Sequence, residues 1–234
     1  MEEKVIGIFS LNMHTKFLNY GSAIQSYALQ TYLKQKGVPS VIIDYVPLHA
    51  EHYFNKNWLF HYRKVWHPIT FFKRFRWGLS RWKRSRKFDK FFNLYYSKTK
   101  RCYLHRELLS IDTIEDLSFS AFICGSDTVW KLDQTKGFND VFFLNIPSVK
   151  GKKKVAYACS MASRDFTKEE IASFQKLTKD FKGIGLREKS RVTQFNQYLD
   201  KPAIRVVDPT LLLNAEDYAK IAKLPKQEDY VLLY

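Results

Sequence analysis

Short apolar runs alternate with segments of helical spacing through most of the chain. The first run, Val5–Phe9, predicts a buried strand, and the spacing after it predicts a helix over about residues 22–36 that ends at Gly37. Residues 41–44 predict the next strand. Because strand, helix and strand in this order form the unit from which parallel sheets are built, the pattern indicates an α/β fold.

The same alternation returns after residue 111. Thr167 is the predicted cap of one later helix, with Glu170 at the capping-box position, and Asn214 is the predicted cap of the last. We therefore expect a Rossmann-like parallel sheet with helices on both faces. The further strands are predicted at residues 121–124, 154–159, 183–186 and 204–207. Three later helices are predicted: one begins at Thr167, a second follows the strand at 183–186 and ends at about residue 198, and the last covers about residues 215–223.

A basic, aromatic insertion interrupts the alternation over residues 49–109. Its Phe and Trp spacing predicts two helices, at about residues 69–83 and 85–95. Residues 56–106 carry sixteen Lys or Arg and one acid, a net charge of +15 out of +16 for the whole chain. The positive charge therefore belongs to the insertion and not to the sheet.

Three interpretations of this insertion remain open. In the first, its aromatic faces pack on the sheet domain while its charged side chains are solvated. In the second, its basic surface docks to an anionic membrane or a polyanionic glycan. Aromatic residues interleaved with arginine could also stack on bases, but no nucleic-acid motif accompanies them, so a nucleic-acid partner is the least favoured interpretation.

Cysteine usage and hydropathy point to a cytoplasmic protein. Cys102, Cys124 and Cys159 have no metal-type spacing, and two of them fall in apolar strands, which is typical of buried thiols in a reducing compartment. We expect no signal peptide and no segment that spans a membrane. The basic residues 56–106 make the inner face of the membrane the expected place of peripheral contact.

Polar residues stand just after the predicted strands. The carboxyl ends of parallel strands share one edge of a sheet, where ligands bind in α/β proteins, so the sequence predicts a site there. Its candidate members are Asn19, Tyr20, Asp44, Asp127, Ser160, Arg187 and Asp208.

Several of these residues also have a plainer explanation. Asp44, Asp127 and Asp208 equally suit turns or helix caps, and His14, alone in its loop, suits a structural role. Arg187 is harder to explain in this way. A cation at the start of a helix opposes the helix dipole, so we expect another partner to hold it.

The start of the first helix carries further candidates. Ser22 is its predicted cap, and Gly21 allows the backbone to approach a ligand closely. Gln25 lies within the apolar arc of this helix, where a buried amide needs a hydrogen-bond partner. We expect Gln25 either to hold the loop backbone or to contact a ligand.

Five short motifs are spread over nearly the whole chain. They are N-Y-G-x-x-x-Q-x-Y-A-L at 19–29, G-S-D-T-V-W at 125–130, V-A-Y-A-C-S at 155–160, G-L-R-E at 185–188 and V-D-P-T-L-L-L at 207–213. Together they resemble the polysaccharide pyruvyl transferase family, in the order in which that family has them. The sequence departs from the family pattern at Thr128, where glutamine is usual, at Cys159 within Y-A-C-S, and in the G-L that precedes R-E.

The resemblance implies a reaction. The enolpyruvyl unit of phosphoenolpyruvate is moved onto two hydroxyls of one sugar, in a cell-surface polysaccharide or exopolysaccharide, which gives a pyruvate ketal and releases phosphate. It implies no metal and no cofactor beyond phosphoenolpyruvate as donor substrate. The acceptor it implies is a sugar or a lipid-linked saccharide.

The resemblance also implies roles for particular residues. Arg187 is expected to bind the donor anion, because its planar fork suits carboxylate and phosphate, and Asp127 is expected to act as base or to anchor the sugar hydroxyls. The expected substrate contacts are Asn19, Tyr20, Gly21, Gln25, Gly125, Ser126, Ser160, Glu188 and Asp208.

A two-domain architecture like that of the second large class of glycosyltransferases is a further implication. Residues 1–224 would then form the N-terminal Rossmann-like domain, with the insertion at 49–109, and residues 225–234 the linker and first strand of a second domain. The general acid is expected in that second domain. The chain is therefore expected to be inactive alone, unless it is a natural short form that works with a partner protein.

Two other functions stay open. A nucleotide-sugar glycosyltransferase would share the architecture, and a non-catalytic module would use the basic insertion to bind an anionic surface. Binding of phosphoenolpyruvate rather than a nucleotide sugar would separate the first alternative from pyruvyl transfer.

Overall fold

The computed structural model describes residues 5–11, 13–14, 19–51, 68–115, 117–132, 137–161 and 166–223. In the helix that begins at Pro68, side chains are described at Leu79 and from Trp82 onward. The predicted linker and strand at residues 225–234 lie outside the described residues, as does the part of the insertion over residues 52–67.

A six-stranded parallel sheet organises the chain, which confirms the predicted α/β class. Its strand order is β2-β1-β5-β6-β7-β8, and β3 pairs with β4 in a separate two-stranded parallel sheet. The strands are β1 (Val5–Phe9), β2 (Ser40–Ile42), β3 (Tyr45–Val46), β4 (Tyr103–Leu104), β5 (Phe119–Cys124), β6 (Lys153–Cys159), β7 (Phe181–Leu186) and β8 (Ile204–Arg205).

The sheet changes direction beside β1. The chain passes from β1 to β2 on one side, and later returns to place β5 on the other side. The point between β1 and β5 is therefore a topological switch point, where two loops diverge and leave a crevice at the carboxyl ends of the strands.

Local capping signals predict several helix starts. Thr167 and Glu170 form the predicted capping box, and Asn214 caps the last helix through the backbone N–H of Asp217. The helices are α1 (Tyr20–Gln35), α2 (Pro68–Tyr95), α3 (His105–Leu108), α4 (Lys168–Thr178), α5 (Lys189–Phe195) and α6 (Ala215–Ala219).

The start of α1 differs from the prediction. The helix begins at Tyr20, and Asn19, not Ser22, caps it by accepting a hydrogen bond of 2.8 Å from the backbone N–H of Gly21. Ser22 lies inside the first turn, where its hydroxyl is buried and bonds to Asp127. The helix ends as expected before Gly37, whose φ of 69° suits glycine.

Residues 68–95 form one helix, α2, of 28 residues, where the spacing predicts two, at about 69–83 and 85–95. The residues at the predicted break include no glycine or proline, which are the residues that most readily end a helix. The backbone stays helical across this point, and only the side of the helix that carries the aromatic residues changes. Arg84 instead lies over the ring of Tyr20, 5.3 Å from its centroid.

The second half of α2 packs on α1 and the sheet. Phe88 and Phe92 are buried in one core cluster with Tyr27 and Ile8, and the Tyr96 hydroxyl donates to the carbonyl of Ala23 at 2.7 Å. The interpretation that the aromatic face covers the sheet domain is thus confirmed for this half of the helix. The opposite face of the sheet carries the second core cluster, around the fully buried Trp130.

Candidate functional site

The switch point brings the start of α1 against the end of β5. The Ser22 hydroxyl donates to Asp127 Oδ2 at 2.6 Å, and the backbone N–H of Thr128 donates to Asp127 Oδ1 at 2.7 Å. Each carboxylate oxygen of Asp127 thus has a donor, and the carboxylate has a defined orientation at the carboxyl edge of the sheet.

Asp127 is held in an uncommon backbone conformation. Its φ is 92°, in a region that residues other than glycine seldom adopt and that costs of the order of 1–3 kcal/mol. Bonds to the neighbouring strand offset this cost, because the backbone N–H of Ser160 donates to the Asp127 carbonyl at 3.0 Å. Strain of this kind is concentrated at functional sites, where it fixes the direction of a side chain.

Arg187 lies at the end of β7 and is fixed by Asp208. Its Nη1 atom is 2.9 Å from Asp208 Oδ2, which also accepts a 3.1 Å bond from the Ser126 hydroxyl. The partner that the helix-dipole argument requires for Arg187 is therefore Asp208. This network joins the ends of three strands, β5, β7 and β8.

The Asp208 carboxylate is ionised at neutral pH. Burial raises its pKa, but hydrogen bonds from Thr210, Arg187 and Ser126 outweigh burial and lower the pKa below its ordinary value. Its other oxygen, Oδ1, accepts from the Thr210 backbone N–H and hydroxyl at 3.0 and 2.8 Å. Asp208 thus caps its turn, as its sequence context suggests, and also orients Arg187.

Glu188 lies beside Arg187, and its two carboxylate oxygens have different surroundings. The Ser160 hydroxyl donates to Glu188 Oε1, which is 3.8 Å from the Arg187 Nε atom. The second oxygen, Oε2, is buried and has no hydrogen-bond partner among the described residues. A buried carboxylate oxygen needs a donor, and a ligand hydroxyl could provide it.

Gln25 holds the loop after β1 against α1. It is 3% exposed, and its Nε2 atom lies 2.7 Å from the Ser10 hydroxyl, 3.0 Å from the Ser22 carbonyl and 2.8 Å from the Ser26 hydroxyl. Its amide oxygen has no partner in the part of the chain that the structure describes. The role in holding the loop is confirmed, and the contact with a ligand stays a prediction.

The remaining candidates at the start of α1 have structural contacts of their own. The Asn19 side chain caps α1, and the Tyr20 ring lies 4.9 Å from the Phe88 ring while remaining 65% exposed. Gly21 is exposed on the first turn, and Gly125 is buried against Ser10 and Leu29. Their contact with substrate stays a prediction.

Asp44 does not join this group. It follows β2, on the far side of β1, where it binds His14 at 2.6 Å and Lys98 at 2.7 Å. The predicted strand-end acids therefore divide, with Asp44 apart from Asp127 and Asp208. Ser160 and Arg187 lie with Asp127 and Asp208, and so do the expected substrate contacts Ser126 and Glu188.

Family membership follows from comparison with known proteins. The sequence model of the family described as polysaccharide pyruvyl transferase matches residues 19–234. The chain belongs to this family. No curated protein and no solved structure matched the chain. The family is one of transferases that act on polysaccharides, and all five motifs noted in the sequence lie within the matched residues.

Two residues of the site were not found by sequence reasoning. The sequence predicts Ser22 as a helix cap and gives Thr210 only as part of the last motif, yet they hold Asp127 and Asp208 in place. Each is a small polar residue within a motif, but the partner of Ser22 is distant in the sequence and that of Thr210 depends on the local turn, so spacing alone does not identify either role.

None of the described helices combines the length and the apolar character needed to cross a bilayer.

Proposed function

We propose that the protein transfers the enolpyruvyl unit of phosphoenolpyruvate onto two hydroxyls of one sugar and so forms a pyruvate ketal. Family membership supports the transfer to a polysaccharide. The observation that carries the finer assignment is the pairing of Arg187 with Asp208 at the carboxyl edge of the sheet, in the strand-end group that also contains the strained Asp127. The acceptor in this proposal is a sugar of a lipid-linked saccharide or exopolysaccharide.

Arg187 would bind the donor anion. Its guanidinium has five N–H donors in a rigid fork that fits carboxylate and phosphate groups, and its side chain is 35% exposed, so it can reach a ligand in the crevice. Asp208 keeps the fork in one orientation before the donor arrives. Because Ser126 and Thr210 also donate to Asp208, the negative charge of this carboxylate is shared among three partners and does not fully neutralise the Arg187 guanidinium.

Asp127 would take the protons of the sugar hydroxyls. One hydroxyl adds to the central carbon of phosphoenolpyruvate while the methylene carbon gains a proton, and the second hydroxyl then displaces phosphate from the same carbon. Each hydroxyl loses its proton as it bonds to carbon, and a carboxylate held by Ser22 and Thr128 suits this task. Over the whole reaction one of these protons balances the proton gained by the methylene carbon and the other leaves with phosphate, so Asp127 returns to its ionised form. We assign no described residue to the protonation of the methylene carbon.

Glu188 and Ser160 would position the acceptor. The buried Oε2 atom of Glu188 lacks a donor among the described residues, and a sugar hydroxyl would supply one. The Ser160 hydroxyl already donates to the other oxygen of Glu188, which fixes the direction in which Oε2 is presented.

A peripheral membrane contact forms the second part of the proposal. Trp82 is 48% exposed on α2, and Lys83, Arg86, Lys87 and Lys90 are exposed on the same helix. Basic residues beside an exposed tryptophan are typical of helices that lie at an anionic lipid surface. This contact would hold the protein at the cytoplasmic face of a membrane, where a lipid-linked acceptor is within reach.

Direct measurement of donor binding tests the proposal. Phosphoenolpyruvate is expected to bind and to raise the unfolding temperature of the chain, whereas nucleotide sugars are expected to leave it unchanged. Arg187→Lys keeps the charge but loses the bidentate fork, so it should weaken phosphoenolpyruvate binding about tenfold. Lys189→Arg is the matched control, because it alters an exposed cation two residues away.

The outcomes separate the alternatives. Binding of a nucleotide sugar in place of phosphoenolpyruvate would indicate a glycosyltransferase. In a preparation that also contains the expected second domain, no turnover together with binding to anionic vesicles would indicate a surface-binding module. Formation of a ketal with release of phosphate by that preparation, in a panel of sugars, would establish the proposed reaction and identify its acceptor.

A further inference from the structure

A compact group of possible metal ligands lies on the other side of β1 from the site just described. His14 comes from the loop after β1, Asp44 from the residues after β2, and Cys102 from the residue before β4. One ligand atom from each of these three side chains lies within 4.8 Å of the others. Three segments that are distant in the sequence thus present an imidazole, a carboxylate and a thiol to one point.

We propose that His14, Asp44 and Cys102 form a binding site for a zinc ion. Imidazole nitrogen, thiolate sulfur and carboxylate oxygen are the protein ligands that Zn²⁺ prefers. Three such ligands leave a fourth tetrahedral position for water or another oxygen ligand, which is the arrangement of zinc sites that remain open.

The distances are close to those of a tetrahedral site. The Cys102 sulfur lies 3.5 Å from His14 Nε2. Bond lengths of about 2.3 Å from zinc to sulfur and about 2.0 Å from zinc to nitrogen place the two atoms about 3.5 Å apart. His14 Nε2 and Asp44 Oδ1 are 2.6 Å apart and share a hydrogen bond. They would have to separate by somewhat less than about 1 Å to admit the ion between them.

The backbone holds two of the ligands in place. The backbone N–H of Asp44 donates to the Thr99 hydroxyl at 2.9 Å, and the carbonyl of Asp44 accepts from the backbone N–H of Tyr103 at 2.7 Å. Cys102 lies next to Tyr103 and is therefore tied to Asp44 through the backbone. His14, from a loop, is the ligand that would move to admit the ion.

Lys98 is the main competitor of a metal ion. Its ammonium lies 2.7 Å from Asp44 Oδ2, so it neutralises the carboxylate without a metal. It occupies the oxygen that faces away from His14, because Oδ1 is the atom bonded to the imidazole. Oδ1 therefore remains the oxygen that can bind zinc. When zinc binds, the Cys102 thiol loses its proton, and the thiolate offsets part of the added charge.

Cobalt is the probe that tests this site. Co²⁺ takes the same tetrahedral position as zinc, and a bound thiolate gives it a strong charge-transfer absorption in the near ultraviolet. The chain, stripped with a chelator and kept reduced, is expected to bind one equivalent of Co²⁺ with this band. Zn²⁺ should abolish the band, because zinc binds such sites more tightly.

The variants identify the ligands. Cys102→Ser should remove the charge-transfer band, while Cys124→Ala, at a buried cysteine outside the group, should retain it. His14→Gln and Asp44→Asn should each weaken cobalt binding by more than about tenfold. Circular dichroism shows whether each variant is folded, and a zinc-dependent rise in unfolding temperature, present in the wild type and absent in Cys102→Ser, gives a second readout.

Two results would overturn the proposal. One is a wild-type chain that shows no charge-transfer band and no zinc-dependent rise in unfolding temperature. The other is a band that persists in Cys102→Ser. Either result would leave Asp44 in an ion pair with Lys98 and in a hydrogen bond with His14. Because no sugar or phosphoenolpyruvate is needed, the result is independent of the proposed pyruvyl transfer.

Discussion

At the scale of single residues, Asp127 is the most constrained member of the site. Its backbone has a φ of 92°, and its carboxylate accepts from Ser22 on one oxygen and from Thr128 on the other. A residue held in this way is costly to orient but needs no further ordering when a substrate arrives. This is the physical reason to assign it the proton transfer.

Replacement of Asp127 by asparagine tests this assignment. Asparagine tolerates positive φ and can still accept the Ser22 hydrogen bond, so the fold should be retained. In a preparation that also contains the expected second domain, loss of the carboxylate base should lower ketal formation by about 10²- to 10⁴-fold, while binding of phosphoenolpyruvate changes little. Asp112→Asn, at an exposed carboxylate, is the matched control. Full turnover in Asp127→Asn would remove Asp127 from the role of base.

The Asp208 network predicts a dependence of stability on pH. The pKa of Asp208 is lower in the folded chain than its ordinary value of 3.8. Its ionised form therefore stabilises the fold above that pH, and the contribution is lost as the pH falls through the lower folded pKa. Asp208→Asn should lower the free energy of unfolding at neutral pH. The difference in this free energy between the variant and the wild type should become smaller below about pH 4.

Urea unfolding at a series of pH values measures this effect. Asp200→Asn, at an exposed aspartate, should follow the wild type at every pH. If the difference in free energy of unfolding between Asp208→Asn and the wild type stays constant down to about pH 2, the ionised Asp208 carboxylate does not contribute to stability.

At the scale of elements, α2 has two different faces. Phe88 and Phe92 pack on α1 and the sheet, while Trp82 and four basic residues after it are exposed. The sequence predicted both the aromatic stripe and the charge. It could not predict one helix in place of two, because a stripe that changes face at Ser85 resembles a stripe that ends there.

The exposed charges of α2 predict binding to anionic lipid. Neutralising Lys83, Arg86, Lys87 and Lys90 to glutamine should weaken partitioning onto anionic vesicles by at least about tenfold, because each basic residue near such a surface contributes about 1 kcal/mol. The binding should also decrease as salt rises. Vesicle co-sedimentation at low and high salt measures both effects.

A set of lysines elsewhere provides the control. Lys168, Lys176, Lys179 and Lys182 are exposed in and after α4, and their replacement by glutamine makes the same change of net charge. Vesicle binding should persist in that variant. Equal partitioning of the wild type onto neutral and anionic vesicles at low salt would contradict the proposed surface.

At the scale of the whole molecule, close approaches between neighbouring strands limit what the sheet can accommodate. A Cβ atom added at Gly7 in β1 would lie 2.5 Å from the ring of Phe122 in β5. One added at Gly183 in β7 would have no atom within 4 Å. The two glycines look alike in the sequence but have opposite packing environments.

Alanine substitutions at these glycines should therefore differ. Gly7→Ala should lower the free energy of unfolding by about 1–3 kcal/mol, because the Phe122 ring is buried and has to shift. Gly183→Ala should change it by less than about 0.5 kcal/mol. Urea unfolding measures both values. Equal stability of the two variants would show that the contact of β1 with β5 relaxes without cost.

Local and distant information explain how far the sequence could predict this molecule. The capping box at Thr167, the stop at Gly37 and the strand-end position of Arg187 depend on neighbours along the chain, and all three were predicted. The strand order beside β1, the bond from Ser22 to Asp127 and the separation of Asp44 from the other acids depend on contacts between distant segments. Such contacts leave no periodic signal in the sequence.

The edge of the sheet at β2 has a consequence for resistance to aggregation. Residues at the end of the insertion cover this edge, because the backbone N–H of Ile42 donates to Ser97 and the N–H of Thr99 donates to Ile42. The amide of Gln30 completes the cover by bonding both the N–H and the carbonyl of Ser97. An uncovered edge strand offers its backbone to other molecules. A chain shortened within the insertion should thus stay monodisperse if it keeps residues 96–104 and self-associate if it loses them.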